Sequence, residues 1–474
     1  MPETVDVEVA IIGAGLSGLQ AALDVHKAGR SFLILEARDR VGGKTLTVAR
    51  PDGRGNQELG PAWINDSNQS RVWAYVHRFG LTPVTQNIQG TVACEDADGS
   101  RHSFPYGGLP EFGESAKANI AMIRDKIEAM SHDPATFQQP RRSELDSQSL
   151  EQFVRASGGG ERAVQTVRLW SHGMFGQEPW EISALGFLEV ARGGCGIANI
   201  RSDGQHGAQY LRLKEGTSAI SRGLVGLLPA GAVRLNAPVA AVVKTKGTGG
   251  PGSCYYTLTA PGGTVRAKKV IVGVPGTTYK NIHFDPPLPP VQSVYTTSTR
   301  YGLYVKFLLL FSTPFWRAKG ACGLAQSFRG PVSIVRDTSN DDEGNFALTC
   351  FISAAPGRRW YALNTQDRET AVLAQMSRLF ETPLADVQAA FVGSLTSPWM
   401  EDRWAGCGCP FSMPPPGALS ATSDGQLATE GFEGLVFVGT EFTDHWRGYM
   451  EGALESGERG ATKALAGLSR TTKL

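Results

Sequence analysis

The sequence lacks the features that mark several large classes of protein. Its 474 residues carry 46 Lys and Arg against 45 Asp and Glu, so the composition gives no indication of a surface for nucleic acid. The seven cysteines form no repeated Cys-x-x-Cys pairs, which argues against a disulfide framework and favours a reducing compartment. No apolar run reaches about 18 residues, the length that a membrane-spanning helix needs. These absences indicate a globular protein with no nucleic-acid partner and no membrane anchor.

The two ends of the sequence bear on its location. The opening stretch, MPETVDVEVAIIGAG, has no basic segment, long apolar run or small-residue cleavage site, so we expect no secretion signal. The last three residues, Thr-Lys-Leu, differ by one residue from the Ser-Lys-Leu signal for peroxisomal import. We therefore expect a soluble intracellular protein, cytoplasmic or, on this weak C-terminal signal, peroxisomal.

A glycine-rich turn near the start of the chain predicts a nucleotide site. In VEVAIIGAGLSGLQAALDV, Gly13, Gly15 and Gly18 have GxGxxG spacing between a predicted strand and a predicted helix. This spacing lets the backbone approach a pyrophosphate at the helix N-terminus, and Gly18 lets helix and strand pack closely. A second predicted strand ends before Glu36, an acid placed to bind ribose hydroxyls. Since Glu36 would repel a 2′-phosphate, NAD and FAD are the candidate cofactors.

The stretch that follows separates these two cofactors. In EARDRVGGKT, the residues Arg40, Gly42, Gly43 and Lys44 resemble the R-x-x-G-G-[R/K] segment of the flavin-containing monoamine oxidases. Three later stretches resemble the same family in the same order: ELGPAWI at 58–64, VRLNAPVAAV at 233–242 and LVFVGTEFTDHWRGYMEGALESGERGA at 435–461. The resemblance covers nearly the whole chain and implies FAD as the cofactor.

The resemblance also implies a fold and a set of cofactor contacts. We expect an α/β protein whose Rossmann-like FAD-binding domain (1–80, 214–287 and 401–474) is interleaved with an α+β substrate-binding domain (81–213 and 288–400). Val239 is expected on a strand, with its backbone holding the adenine. The cofactor-binding residues implied by the resemblance are Gly13, Gly15, Ser17, Gly18, Glu36, Ala37, Arg38, Gly43, Lys44, Gly60, Ala62, Trp63, Val239, Trp399, Gly439, Thr440, Glu441, Tyr449 and Met450.

A single lysine interrupts the apolar stretch STRYGLYVKFLLLF at 298–311. A buried ammonium is costly, so the stretch by itself favours a strand-edge lysine whose amine reaches out to water. The resemblance implies a different role, because a lysine on this strand of the family holds a water against the flavin N5 atom. With the resemblance included, we predict Lys306 and Tyr449 as the catalytic residues.

The expected substrate site is bounded by aromatic rings. The family frames the amine between two rings, and the resemblance assigns Tyr449 to one of them. The segment for the other ring, MEDRWAGCGCPFSMPPPG, has an extra residue, so Cys409 or Pro410 falls at the expected place. Phe411 is the nearest ring. Without it, the cage would be half open and would suit a long aliphatic amine better than an arylalkylamine.

A polar segment, GQHGAQYLRLKEG, resembles the part of the family that lies between entrance and flavin. Gln209 matches the glutamine of that segment, although a surface amide is an equal interpretation. Its basic neighbours Arg201, Arg212 and Lys214 would suit a substrate that carries carboxylates away from its amine. In this respect the chain is similar to fungal amine oxidases that act on long-chain amines such as the fumonisins.

The resemblance implies that a primary amine is oxidised to an imine and then a carbonyl compound, while O2 is reduced to hydrogen peroxide. The partners are then a small-molecule amine and O2, a homodimer is compatible with the family, and no metal is needed. Two alternatives are a flavin polyamine oxidase and an amino-acid oxidase, the latter with Arg201, Arg336 or Arg358 holding the α-carboxylate. A third is an FAD-binding protein without catalytic activity.

The AGCGCPF stretch raises the question of a covalent link to the flavin. Mammalian members of the family form a thioether through the cysteine of a Ser-Gly-Gly-Cys segment, and Cys409 or Cys407 could take that place. The alignment shifts by one residue at this point, and Ala405 and Gly406 replace the serine and glycine. Because such a shift moves a sulfur by a few ångströms, we predict that FAD is bound without a covalent link.

Overall fold

The computed structural model of the chain describes residues 4–246, 254–406, 408–421 and 431–469. Cys407 and the C-terminal Thr-Lys-Leu, which carry two of the expectations above, lie outside these residues. The strands in chain order are β1 Thr4–Ile12, β2 Phe32–Leu35, β3 Thr47–Ala49, β4 Asn56–Glu58, β5 Pro83–Thr85, β6 Thr91–Glu95, β7 Arg101–Pro105, β8 Leu211–Leu213, β9 Val233–Arg234, β10 Ala241–Lys246, β11 Cys254–Ala260, β12 Gly263–Val272, β13 His283–Asp285, β14 Tyr304–Phe311, β15 Ala321–Ser327, β16 Val332–Asp337, β17 Phe346–Ser353, β18 Phe391–Thr396 and β19 Leu435–Phe437.

The helices include a block of six, from residue 114 to residue 200, between β7 and β8. In chain order they are α1 Leu16–Lys27, α2 Ser70–Arg78, α3 Glu114–His132, α4 Arg141–Asp146, α5 Leu150–Ala156, α6 Glu161–Phe175, α7 Ala184–Gly193, α8 Ile197–Ile200, α9 Ser218–Gly226, α10 Pro290–Ser298, α11 Phe315–Ala318, α12 Ala354–Tyr361, α13 Thr365–Leu379, α14 Leu384–Ala390, α15 Ala418–Ala421 and α16 Met450–Ser469. None of these helices is long and apolar enough to cross a membrane, a finding that covers the described residues.

An eight-stranded sheet carries the predicted nucleotide site. Its order is β13-β10-β11-β12-β1-β2-β9, and β19 pairs with the end of β12 beyond the β11 pairing. The central strand β1 runs parallel to β2 and to β12, and its last four residues are fully or almost fully buried. Parallel strands bring their carboxyl ends to one edge of a sheet, where the glycine turn after β1 and Glu36 after β2 both lie.

A seven-stranded sheet carries Lys306. Its order is β18-β14-β17-β16-β15-β6-β7, and β14 is antiparallel to both of its neighbours, β17 and β18. The strand begins at Tyr304, so the preceding residues of the STRYGLYVK stretch are not part of it. With both neighbours in place, residues 305 to 311 are all buried. Lys306 therefore lies within the sheet and not at its edge.

The fold class is the one expected, a mixed α/β protein with a Rossmann-like nucleotide-binding sheet. One local expectation was wrong: Val239 does not lie on a strand. The segment that contains it leaves β9 at Arg234 and enters β10 only at Ala241. Asn236 within this segment has φ of +52°, and the turn that it allows interrupts the strand.

Candidate active site

A large cavity lies between the two sheets and receives residues from both. Its volume is about 920 Å³. Of the expected catalytic, substrate-binding and cofactor-binding residues, those that line it are Gly13, Gly15, Ser17, Glu36, Ala37, Arg38, Gly43, Lys44, Gly60, Ala62, Trp63, Gln209, Val239, Lys306, Trp399, Phe411, Gly439, Thr440, Glu441, Tyr449 and Met450. Gly18, which belongs to the same expected set, and Cys409 are not among its lining residues.

Gly18 has the packing role expected of the third glycine. A Cβ atom built on it would lie 2.0 Å from the carbonyl oxygen of Gly13, so a side chain there would push α1 away from the turn. Gly13 itself has φ of +98°, a conformation that favours glycine. These two glycines hold the N-terminus of α1, whose first N–H groups have no partner within the helix, against the end of β1.

The second glycine-rich segment touches the first. Gly15 forms an isolated parallel bridge with Gly42, whose N–H donates to the carbonyl oxygen of Ala14 at 2.8 Å. A Cβ atom built on Gly43 would lie 3.1 Å from the Cα of Gly15. The guanidinium of Arg40 fixes this second segment by donating to the carbonyl oxygens of Val41, Gly43 and Thr45. The two glycine segments thus form one continuous piece of cavity wall.

Glu36 closes the far end of this wall. Its side chain is 3% exposed. One carboxylate oxygen accepts from the backbone N–H of Ala14 at 2.7 Å, and the other accepts from the N–H of Arg38 at 2.9 Å. The Arg38 guanidinium forms its closer ion pair with Asp402 at 2.8 Å and lies 3.9 Å from a Glu36 carboxylate oxygen. Because carboxylate oxygens accept several hydrogen bonds, Glu36 retains acceptor positions for hydroxyl groups.

The segment from Gly439 to Met450 forms the opposite wall. The Thr440 hydroxyl donates to the carbonyl oxygen of Tyr449 at 3.0 Å and accepts from the N–H of Gly448 at 2.6 Å. One carboxylate oxygen of Glu441 accepts from the N–H of Ser412 at 2.8 Å. These bonds fix the backbone that carries Tyr449 and tie it to the segment that carries Phe411.

Lys306 lies inside this cavity and not at a strand edge open to water. The residue is 6% exposed. Its Nζ donates to the carbonyl oxygens of Glu58 at 2.6 Å and Gly60 at 2.8 Å, and it lies 5.4 Å from the centre of the Trp63 ring. Burial lowers the pKa of Lys306 to about 8, an effect that the Glu58 carboxylate opposes and Arg212 reinforces. The two carbonyl acceptors make this buried amine tolerable.

The Glu58 side chain interacts electrostatically with Lys306. Its carboxylate accepts from the Thr47 hydroxyl at 2.7 Å and from the N–H of Thr217 at 2.5 Å. Burial raises the pKa of Glu58, while the positive charge of Lys306 acts in the opposite direction. Glu58 was expected only as part of the ELGPAWI motif, and its place beside the lysine was not predicted. Its position two residues before Gly60 could have indicated it.

The aromatic wall assigned to Tyr449 is present. Its ring packs edge-on against Trp446 with ring centres 5.0 Å apart, and burial raises the pKa of its hydroxyl to about 12. Gln209 lines the same cavity, and its amide acts against this rise in the Tyr449 pKa. The amide is therefore a cavity residue beside Tyr449, and its interpretation as a surface group is wrong.

Phe411 lines the cavity from a more deeply packed position. The residue is 4% exposed, and its ring packs edge-on against Phe175 with ring centres 5.7 Å apart. A Cβ atom built on Gly448 would lie 2.2 Å from the Phe411 ring. Two tyrosines that the sequence reasoning passed over, Tyr301 and Tyr304, also line the cavity. Their position in the stretch at 298–311, which also contains Lys306, could have indicated that they lie at the site.

Cys409 is not among the residues that line the cavity. The residue is fully buried, and its Sγ lies 3.8 Å from the carbonyl oxygen of Met174. Its neighbours Gly408 and Pro410 line the cavity. The carbonyl oxygens of Cys409 and Pro410 accept from Lys44 Nζ at 2.9 and 3.0 Å, so the backbone here is anchored to the second glycine segment.

The arginines predicted near the substrate occupy different places. Arg201 and Arg336 line the cavity, and Arg336 is ion-paired with Asp203. Arg212 donates to the carbonyl oxygens of Thr338 and Ser339 and lines a small second cavity of about 30 Å³ behind Lys306. Arg358 and Lys214 are not among the lining residues. In the described part of the chain, no group of three or more His, Cys, Asp or Glu residues is placed to hold a metal ion.

A family model for flavin containing amine oxidoreductase matches residues 16–465. The chain belongs to this family. Among its relatives, amine oxidase B of Homo sapiens is 28% identical over 470 residues, 98% of this chain and 87% of the human one. A Dictyostelium discoideum protein named "Probable flavin-containing monoamine oxidase A" is 29% identical over 457 residues, 95% of this chain and 96% of that one. A solved structure of putrescine oxidase bound to putrescine matches with a TM-score of 0.88 at 25% identity, covering 98% of this chain and 100% of that one.

This flavin amine oxidase is an oxidoreductase that uses FAD and acts on small-molecule amines with O2. Its cavity residues fit that cofactor. A Cβ atom built on Gly15 would meet nothing closer than a Gly43 carbon at 3.9 Å, so the backbone there is open to a pyrophosphate beside the α1 N-terminus. Glu36 has free acceptor positions for ribose hydroxyls at the other end of the same wall.

Proposed function

We propose that this enzyme oxidises a primary amine at the end of a long aliphatic chain, giving the imine and then the carbonyl compound. The observation that carries this proposal is the single cavity of about 920 Å³ that joins the glycine segments to Lys306 and to an apolar, aromatic region of the second sheet and α6. The volume is at the upper end of the range for small-molecule sites. A cavity of this kind has room for a cofactor ring and an extended chain together.

We assign the predicted residues to two tasks within this cavity. The glycine segments, Glu36 and residues 439 to 441 would hold FAD, and Tyr449, Phe411 and Gln209 would border the amine. The strands of the eight-stranded sheet all fall within 1–80, 214–287 and 401–474, and those of the seven-stranded sheet within 81–213 and 288–400. This distribution supports the division into a cofactor domain and a substrate domain.

The chemistry requires a neutral amine in a dry site. FAD, when bound, supplies a two-electron acceptor that O2 reoxidises, giving hydrogen peroxide. An alkylamine is protonated in water, with a pKa near that of lysine, about 10.4. The apolar walls favour the neutral form by desolvation, as they do for Lys306. Tyr449 would hold the amine between ring faces, and Lys306 would position a water or O2 on the opposite side.

The ion pair of Arg336 argues against its use as the α-carboxylate site of an amino-acid oxidase. An amino-acid oxidase would need an arginine free to bind an α-carboxylate beside the reacting carbon. Arg336, the arginine nearest the Trp63 ring at 5.5 Å, is already ion-paired with Asp203. A short diamine is disfavoured as well, because its second ammonium would share the cavity with Arg201 and Arg336.

A peroxide assay with n-alkylamines of increasing length tests this function. We expect a yellow protein whose flavin absorption bleaches anaerobically on addition of a long primary amine, and a kcat/KM that rises with chain length. Each amine is compared with the α-amino acid of the same chain length. Faster turnover of the amino acid would indicate an amino-acid oxidase, fastest turnover of putrescine a polyamine oxidase, and no peroxide with any amine would contradict the proposal.

A further inference from the structure

Lys306 lines two cavities. The large cavity, assigned above to the cofactor and the amine, shares only Lys306 and Ala62 with a second cavity of about 30 Å³. Glu58, Arg212 and Thr349 are among the residues that line the small cavity alone. The proposed oxidation gives the large cavity its function. It leaves the small cavity, which is bordered by three charged side chains, without any.

The small cavity is lined in part by the seven-stranded sheet and in part by β4 and β8. Lys306 on β14 lies opposite Phe351 on β17. Thr349 is two residues from Phe351 and therefore shares a face of the sheet with Lys306. Glu58 ends β4 and Arg212 lies within β8, and neither strand belongs to this sheet. The cavity therefore lies where β4 and β8 meet that face of the seven-stranded sheet.

Both cations that line the small cavity have hydrogen-bond donors left. Two guanidinium nitrogens of Arg212 donate to backbone carbonyl oxygens. Its Nε atom is buried and has no hydrogen-bond partner among the residues that the structure describes. The Lys306 ammonium has three N–H groups, and two backbone carbonyl oxygens accept from it. A group that accepts hydrogen bonds would therefore satisfy both side chains.

A water molecule fits this cavity in size and in polarity. It needs about 10–15 Å³ of such volume and two to four polar partners, and the cavity has about 30 Å³. The water oxygen can accept from both cations. The Glu58 carboxylate and the hydroxyls of Thr338 and Thr349, which lie 2.9 Å apart, can accept its hydrogens. Without an acceptor, the buried N–H of Arg212 would be costly.

We propose that the small cavity is a hydration site for Lys306, in which a bound water molecule accepts from Arg212 Nε and Lys306 Nζ and keeps the lysine protonated while the large cavity is dry. This inference rests on the proposed function, since it explains how one site meets two opposite requirements. The substrate amine must be neutral, which a dry cavity favours, whereas the charge on Lys306 requires solvation. This water is distinct from one held against the flavin, because that position lies in the large cavity.

The surroundings of Lys306 make hydration the decisive influence on its charge. Burial is the largest cause of its lowered pKa, the Glu58 carboxylate opposes this effect and Arg212 reinforces it. The neighbours that flank Lys306 within the sheet are uncharged: Phe351 lies opposite on β17, and the Ser397 hydroxyl accepts from the Lys306 N–H at 3.0 Å. A water molecule at the amine would therefore act directly on the main cause of the pKa shift.

A crystal structure of the FAD-loaded enzyme at high resolution tests the site directly. We expect an ordered water within hydrogen-bond distance of both Arg212 Nε and Lys306 Nζ. Thr349→Ile adds one carbon to the cavity wall and should displace this water. Thr349→Val loses the same hydroxyl without adding volume, so it is the matched control and should retain the water. Wild-type density that shows no water on these two atoms would overturn the proposal.

A pH measurement tests the effect on Lys306 without any turnover. The difference in the free energy of unfolding between a protein and its Lys306→Met variant rises with pH above the folded pKa of Lys306. Measured by urea unfolding in the Thr349→Ile and Thr349→Val backgrounds, this rise should begin about one pH unit lower with Ile, because the ammonium has lost a hydrogen bond. The same onset in both backgrounds would overturn the hydration site. Both results are independent of amine oxidation, which a peroxide assay tests separately.

Discussion

The Nζ atom of Lys306 lies 2.6 Å from the backbone carbonyl oxygen of Glu58, to which it donates a hydrogen bond. The carboxylate of the same residue is tied to Thr47 and Thr217 on its other side. Glu58 therefore supports the lysine by a direct backbone acceptor, and its carboxylate opposes the lowering of the Lys306 pKa by burial. This relationship explains how an amine can be kept inside a sheet of apolar side chains.

Replacing Lys306 by Met tests its role at the flavin. Met has a similar length and no charge, so we expect the fold and the bound flavin to be retained. The carbonyl oxygens of Glu58 and Gly60 lose their donor, at a cost of about 1–3 kcal/mol in stability. Reoxidation of the reduced flavin by O2, followed by rapid mixing, should slow by a factor on the order of 10². The exposed Lys268→Met is the control, and an unchanged rate in Lys306→Met would show that the amine has no part in the reaction.

The lowered pKa of Lys306 predicts a pH dependence of stability. The folded pKa is about 8 and the ordinary value is 10.5. Between these pH values the unfolded chain binds a proton at Lys306 that the folded chain does not, so the free energy of unfolding should rise with pH. Urea unfolding of wild type and Lys306→Met from pH 7.5 to 10.5 isolates this contribution. The difference in the free energy of unfolding between wild type and Lys306→Met should rise by up to about 1.4 kcal/mol per pH unit. A constant difference would place the pKa of Lys306 outside this range.

The burial of Cys409 predicts that its sulfur is not bonded to the flavin. The residue is fully buried and does not line the cavity, whereas a thioether requires its sulfur at the cavity surface. Acid precipitation should therefore release the flavin into the supernatant, and Cys409→Ser should bind as much flavin as the wild type. Yellow colour in the pellet, with a flavin-modified peptide at Cys409 or Cys407 by mass spectrometry, would show a covalent link.

Gly448 and Gly417 form a matched pair for testing how Tyr449 is held. Both have positive φ, +88° and +81°, so alanine should cost about the same backbone strain at each. A Cβ atom on Gly448 would meet the Phe411 ring at 2.2 Å, while one on Gly417 would meet nothing within 4 Å. We expect Gly448→Ala to be less stable than Gly417→Ala by about 1–3 kcal/mol in urea unfolding, because Phe411 must move. Gly448→Ala should also raise the KM for the amine. Equal stabilities of Gly448→Ala and Gly417→Ala would show that the position of Phe411 is not constrained.

The cofactor half of the site could be read from the sequence because it depends on local backbone. Gly13 needs its positive φ and Gly18 its missing side chain within one turn of chain, and Glu36 directly follows the neighbouring strand. Such constraints appear as fixed spacings between residues. The interruption before Val239 was not predictable in this way, since the Asn236 turn leaves no regular pattern in an apolar segment.

The substrate half was decided by tertiary structure. Lys306, Glu58 and Gly60 are brought together by the packing of one sheet against the other, and no spacing predicts that two carbonyl oxygens will meet the amine. The same holds for the burial of Cys409 and for Arg336, whose ion-pair partner is Asp203. Sequence determines which charges a chain carries, and only the fold determines which of them are paired, because pairing depends on distances between residues far apart in the chain.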